Sequence, residues 1–170
     1  TFVGICRSLS AWLTLAGQKL TGVGTSKKFY LEQGGVYYDV TPIRATTTNA
    51  ATFAATNGST TLTVTDNTHG AAVGDFVTFS SAVSLGGTIT ADVLNQEYEI
   101  ATVPSVNTYT ITSSVAANAS DSGNGGSATD AAYQISIGSD SAVPLNGWSA
   151  GTYGEGTWNN GGSSTVSLRT

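Results

Sequence analysis

TTLTVTDNTHGAAVGDFVTFS, residues 60–80, decides how the rest of this chain is read. Leu62 and Val64 alternate with Thr61, Thr63 and Thr65, the period-two pattern of a strand with one buried face. Asp66-Asn67-Thr68-His69-Gly70 then sets turn formers in a row. Asn and Asp side chains hydrogen-bond their own backbone, and glycine accepts positive φ. Gly74-Asp75 restarts the chain into Phe76-Val77-Thr78-Phe79, a second and more apolar strand. The pattern predicts a hairpin with a wide loop. Two strands alone are marginal in water, so the hairpin needs partners.

Those partners lie downstream. Tyr98 and Ile100 face one way while Glu97 and Glu99 face the other. After Pro104-Ser105-Val106-Asn107, Tyr109 and Ile111 alternate with Thr108, Thr110 and Thr112, which predicts a second hairpin over 97–103 and 107–113. Tyr133, Ile135 and Ile137 alternate with Gln134 and Ser136 as a closing strand. Its apolar set completes a small barrel or sandwich around Leu62, Val64, Phe79, Tyr98, Ile100 and Tyr109. Residues 116–129, AANASDSGNGGSAT, read as an exposed, mobile loop with nothing to bury.

Upstream, residues 1–45 read as a meander of five short apolar runs: 2–6, 12–15, 20–23, 29–31 and 36–40. Gly34-Gly35 is the sharpest turn signal, because two residues at positive φ match the twist of a hairpin. Such spacing suits one blade of a propeller or part of a sandwich. Pro42 ends the last strand, lacking the donor that a ladder needs. Residues 45–51, ATTTNAA, are a polar crossing and the expected boundary. The organisation expected is therefore all-β: an antiparallel meander (1–45), an inserted small β-barrel or sandwich (46–138), and a return segment to the parent domain (139–170). Thr165 to Leu168 reads as a strand cut off at its end, and the sequence holds no methionine. Both suggest a piece of a longer polypeptide.

Composition agrees with all-β. Charged residues make up 10% and hydrophobic residues 39%, which argues against disorder, and Thr, Val, Gly and Ser are plentiful. Charge is unevenly placed. Arg7, Lys19, Lys27, Lys28 and Arg44 oppose only Glu32 and Asp39 in the first 44 residues, a balance of +3. From Ala45 to Leu168 there are nine carboxylates and no Lys or Arg, and Arg169 returns the total to −5. A cation-free stretch cannot neutralise phosphates, so specific nucleic-acid binding is not expected there. Passive exclusion of a polyanion is compatible with it. No apolar run approaches the roughly 18 residues that cross a bilayer, so no membrane insertion is expected. Cys6 is alone, which excludes an internal disulfide, and it reads as a small buried residue in a strand.

No residue pattern amounts to a catalytic constellation. His69 with Asp66 and Asp75 lacks the ligand count of a metal site and reads as turn chemistry. Asp121, Asn124 and Asp130 could offer oxygens to Ca²⁺, but without the EF-hand spacing. Gly22 to Lys27 lacks the spacing and following helix of a phosphate loop, leaving a strand-end turn with solvated lysines. No cofactor is implied. Trp148, Tyr153 and Trp158 recur at five-residue spacing among glycines. They are candidates for stacking on a host-surface glycan, or for filling gaps between subunits.

GTSKKFYLEQGGVYYDVTPIR (24–44), TLTVTDNTHGAAVGDFVTFS (61–80), EYEIATVPSVNTYTIT (97–112) and the closing GWSAGTYGEGTW with SLRT resemble a family of bacteriophage virion structural proteins. They are similar to the tail tube, or nozzle, proteins of short-tailed phages. The resemblance implies a virion protein of the phage tail, non-enzymatic, in a ring of identical subunits that contacts other tail proteins and conducts DNA during ejection. Glu97 and Glu99 are then candidates for a lumen-facing acidic surface. The alternatives are a receptor- or glycan-binding module on the tail exterior and a capsid decoration protein.

Overall fold

The computed structural model of the chain describes residues 2–135. They hold thirteen strands and one four-residue helical turn, all strand pairings being antiparallel. Two compact units appear, residues 2–40 and Thr41–Ile135. Among the described residues no helix is long and apolar enough to cross a membrane.

The first unit is a four-stranded meander in the order β1 (Cys6–Leu13), β2 (Lys19–Thr25), β3 (Phe29–Gln33), β4 (Val36–Asp39). The Gly34-Gly35 turn forms as expected, with φ of 61° and 86°. Four strands stand where five runs were expected. Runs 2–6 and 12–15 do not make two strands, because β1 continues through Arg7 to Ser10. Residues 2–5 instead fold over the turn after β2. Gly4 adopts φ 88°, and a Cβ there would come within 3.0 Å of Thr25 Oγ1 and 2.9 Å of Ser26 Oγ. The Thr25 hydroxyl donates to Val3 O at 2.7 Å, and Phe2 packs edge-on against Tyr30 and Tyr37. Of the two lysines expected to be solvated, one is not. Lys28 is buried and ion-paired to Asp39 at 2.6 Å. Cys6 is exposed rather than buried, since β1 is an edge strand exposed along its length.

The second unit is a sandwich of two sheets. One runs β10 (Thr102–Ser105), β11 (Thr108–Thr112), β7 (Thr61–Thr65), β6 (Thr52–Ala55), β12 (Asp121–Asn124). The other runs β5 (Ile43–Thr47), β13 (Asp130–Gln134), β8 (Phe76–Ser80), β9 (Glu97–Glu99). Neither closes into a barrel. Their inner faces share one core that includes Phe53, Leu62, Val64, Phe79, Tyr98, Ile100, Tyr109, Ile111 and Tyr133. Phe53 and Phe79 meet across it, ring centroids 4.9 Å apart. The short helix α1 (Ala91–Leu94) starts at Thr90, whose hydroxyl accepts from Val93 N, and buries Leu94.

The expected hairpin at 60–80 does not exist. β7 and β8 lie in different sheets, and the segment between them crosses from one to the other. Both edges of β7 are occupied, by β6 and β11, and both edges of β8 by β13 and β9. Thr68, Gly70 and Gly74 at φ of 57°, 62° and 85° bend the crossing segment. The second hairpin is shorter than expected. β9 pairs with β8, the chain changes sheet at Ile100-Ala101, and only β10 pairs with β11. The stretch 116–129 is anchored, not free. β12 within it adds to the edge of β6, while Ala117 and Thr129 are buried. Residues 45–51 are not a plain polar crossing either, since β5 runs through Thr47.

Candidate functional site

Glu97 and Glu99 sit on β9, the edge strand of the four-stranded sheet. Alternation decides their direction. Tyr98 between them turns into the core, its hydroxyl donating to Val93 O, so both carboxylates point outward and are exposed. Glu97 Oε1 accepts from Gln134 Nε2 at 2.6 Å, which ties one carboxylate to β13, on the far side of β8. The register pairs Glu97 with Thr78 and Glu99 with Phe76. Two carboxylates one pleat apart on one outer face form a local negative strip. Trp148, Tyr153 and Trp158 lie outside the described residues.

The His69, Asp66, Asp75 group is brought only partly together. Asp75 turns to the backbone and accepts from Ala72 N at 2.8 Å. Asp66 and His69 are buried, at 1% and 3% exposure, although both were expected to be turn residues at the surface of a hairpin. Asp66 Oδ2 accepts from Thr47 Oγ1 at 2.5 Å and from the Tyr133 hydroxyl at 2.6 Å. With its proton committed to Asp66, the Tyr133 oxygen accepts from the Tyr109 hydroxyl at 3.0 Å. His69 Nδ1 accepts from Ala71 N at 3.1 Å, so Nε2 carries the proton and donates to Ser105 O at 3.3 Å. Its ring packs edge-on against Tyr109 at 4.9 Å. Arg44 donates to His69 O at 3.1 Å and lies 5.8 Å from the centre of the Tyr133 ring.

This network spans both sheets and pins the crossing segment to each. Burial pushes the Tyr133 hydroxyl far above the ordinary phenol value, helped by its neighbour Tyr109 and its bond to Asp66. Burial likewise raises Tyr109, partly opposed by the hydrogen bond to Tyr133. Phenols held that far from ionisation serve as neutral donors, not as acids or nucleophiles near pH 7. Among the described residues no three His, Cys, Asp or Glu side chains converge to hold a metal ion. The network is structural chemistry. Sequence reasoning missed it because Asp66 and Tyr133 stand 67 residues apart. Nothing in either local pattern signals the pairing.

The oxygens once grouped as a Ca²⁺ candidate are separated. Asp121 lies on β12 of the five-stranded sheet and Asp130 on β13 of the four-stranded one. Asp130 Oδ1 instead accepts from the backbone of Asn49, which adopts φ 53°. A cleft of about 320 Å³ opens beside β12, lined by Ala55, Leu85, Gly86, Ile89, Asn118 and Asp121 among others. Asn118 Oδ1 accepts from Thr88 N there at 3.1 Å, so its carbonyl serves the loop.

No family model matches the chain, and no curated protein matches it. Among solved structures it is similar to one named "Phage phi92 endosialidase", at 20% sequence identity and a TM-score of 0.45. The alignment covers 76% of this chain and 18% of that one. The chain thus spans less than a fifth of that protein's length. A likeness of this degree assigns neither activity nor substrate.

Proposed function

We propose that the chain is a structural, non-enzymatic part of a bacteriophage tail. Within it, the chain belongs to a tubular nozzle ring built from identical subunits beside other tail proteins. The motifs at 24–44, 61–80 and 97–112 support the family. One observation carries the mechanism: Glu97 and Glu99 stand outward on an edge strand, within a stretch from Ala45 to Leu168 that has no Lys or Arg. Facing a lumen, such a surface repels a passing polyanion and offers it no cationic foothold. The reading needs neither cofactor nor membrane insertion.

Particles carrying Glu97→Lys together with Glu99→Lys test the mechanism through the rate of DNA ejection. The net charge of each subunit rises by four, two from each exchange. Ejection is expected to slow on the order of tenfold at low ionic strength, and to recover as salt shortens the reach of the charges. An unchanged rate at low salt removes the lumen reading. Slow ejection that ignores salt points to misassembly and does the same.

A further inference from the structure

The first sheet has two edges with which no strand pairs among the described residues: the outer sides of β1 and β4. The existing pairings fix which backbone groups point there. Thr14 N donates to Gln18 O at 2.9 Å, in phase with the β1–β2 register, so Ser8, Ser10 and Trp12 bond inward. Leu9, Ala11 and Leu13 therefore turn their N–H and C=O groups to the outer side. At the other edge Val40 N donates to Phe29 O at 2.9 Å, so Val36 and Tyr38 bond to β3 and Tyr37 turns its groups outward.

Such an edge is a template for another strand, and proteins blunt the edges that they do not use. The second unit does so at the outer strands of both its sheets. β10 contains Pro104, and β12 pairs with a shift in register. Arg44 is the extra residue where the register of β5 shifts, and β9 is three residues long with two carboxylates. The first unit lacks these devices. From Ser8 to Leu13, β1 carries no charged side chain, proline or register shift, and β4 carries none before Asp39. Both faces of its edges are apolar. Leu9, Leu13 and Tyr37 stand on one, 68%, 64% and 53% exposed, and Trp12, Val36 and Tyr38 on the other.

The two edges also complement each other. Three antiparallel steps separate β1 from β4, so they run in opposite directions. A second copy in the same orientation brings its β1 antiparallel to β4 of the first. Faces match as well, because Ala11, Thr21, Glu32 and Tyr37 form one row across the sheet. Outward groups pairing with outward groups keep that face continuous from copy to copy, which sets apolar side chains across the joint. A two-fold pairing of β1 with β1 is antiparallel too, but it leaves both β4 edges open.

We propose that copies of this chain join edge to edge, β1 of one pairing antiparallel with β4 of the next, so that the first sheet runs on through successive subunits. Head-to-tail contacts of this kind close into rings where the rotation between copies allows. In supplying the subunit contact, the proposal rests on the ring reading above. A test in solution reads the contact alone and leaves the place in the tail to particle imaging.

The first measurement is hydrogen exchange of the purified full chain through a dilution series in the micromolar range. Protection of the Leu9, Ala11 and Tyr37 amides is expected to fall roughly tenfold or more on dilution. The Val23 amide, bonded to β3 within the sheet, should hold. Edge protection that ignores concentration would mean that the chain covers its own edges, and no protection would mean that nothing does. Either overturns the proposal. Two variants then assign the partners. Ala11→Pro and Tyr37→Pro each remove an outward N–H and leave the bonds within the sheet in place. Where a variant loses Val23 protection, Ala11→Lys or Tyr37→Lys replaces it and blunts the edge by charge. Native mass spectrometry should show assemblies of the parent and monomers of each variant alone. An equimolar mixture should give a dimer of one copy of each, since each variant keeps the edge that the other lacks. Self-association of the Tyr37 variant alone would make β1–β1 the contact. That result, assembly of both variants as in the parent, or a mixture that stays monomeric overturns the proposal.

Discussion

Phe53→Ala is expected to destabilise the second unit by about 3–5 kcal/mol. Phe53 is fully buried at the centre of β6, its ring edge against Phe79 of the facing sheet at 4.9 Å. It also supports β12 from beneath. A Cβ on Gly125 would come within 2.6 Å of Phe53 Cδ2, so the backbone after β12 rests on the ring with no space between. Gly125 adopts φ 114°, a conformation that side-chain-bearing residues avoid. Truncation therefore opens a cavity between the sheets and removes the floor under an edge strand. Domains of this size hold roughly 5–15 kcal/mol in total, so the loss is a large share. All three tryptophans, Trp12, Trp148 and Trp158, lie outside Thr41–Ile135, which makes indole fluorescence a poor reporter of this unit. Hydrogen exchange at the Leu62 and Val64 amides of the central strand β7 reads it directly. Exchange there should accelerate by two orders of magnitude or more, about 1.4 kcal/mol for each tenfold change. Unchanged protection would mean that the sheets do not meet at this ring.

Tyr133→Phe comes second, at about 3 kcal/mol, because a buried charged acceptor loses a donor and a buried hydroxyl loses an acceptor. Asp66 Oδ2 keeps only Thr47, and the Tyr109 hydroxyl keeps no partner within the network. Phenylalanine preserves the ring, so the change isolates the hydrogen bonds from the packing. The same substitution alters the alkaline limb of stability. Both tyrosines have folded pKa values raised above the unfolded value, chiefly by burial. Their contribution is complete below about pH 10 and is lost as pH rises beyond it, at roughly 1.4 kcal/mol per pH unit for each tyrosine. Above pH 10 the variant should therefore lose stability less steeply than the parent, by roughly that amount per unit. Urea titrations at several pH values between 9 and 11 measure both effects. Equal slopes for parent and variant would contradict the buried, neutral assignment of Tyr133.

Much of the local structure was legible in the sequence. Threonine alternation located β7 and β11 and told which side chains turn inward: Leu62, Val64, Tyr109 and Ile111 are fully buried. The same rule assigned Tyr98 inward and Glu97 and Glu99 outward. Gly34-Gly35 announced its turn because the two-residue geometry demands positive φ twice. Pairing was not legible. Alternation specifies a face and not a neighbour, so two strands joined by ten turn-forming residues were read as a hairpin although they face each other across a core. Composition misled at 116–129, where small polar residues form an edge strand through backbone bonds that need no apolar side chain. It misled again at Lys28 and Asp66, whose burial depends on Asp39 and on Thr47 and Tyr133, partners distant in sequence. The acidic strip was visible residue by residue, but its place on an edge strand required the sheet order.

Labelling this chain in intact particles, and imaging them to subunit resolution, tests the central claim most directly. A ring around the tail channel, with the β9 carboxylates Glu97 and Glu99 on the inner wall, is the predicted result. Finding the chain on the capsid surface, at the tail periphery with β9 turned outward, or absent from the particle would contradict it.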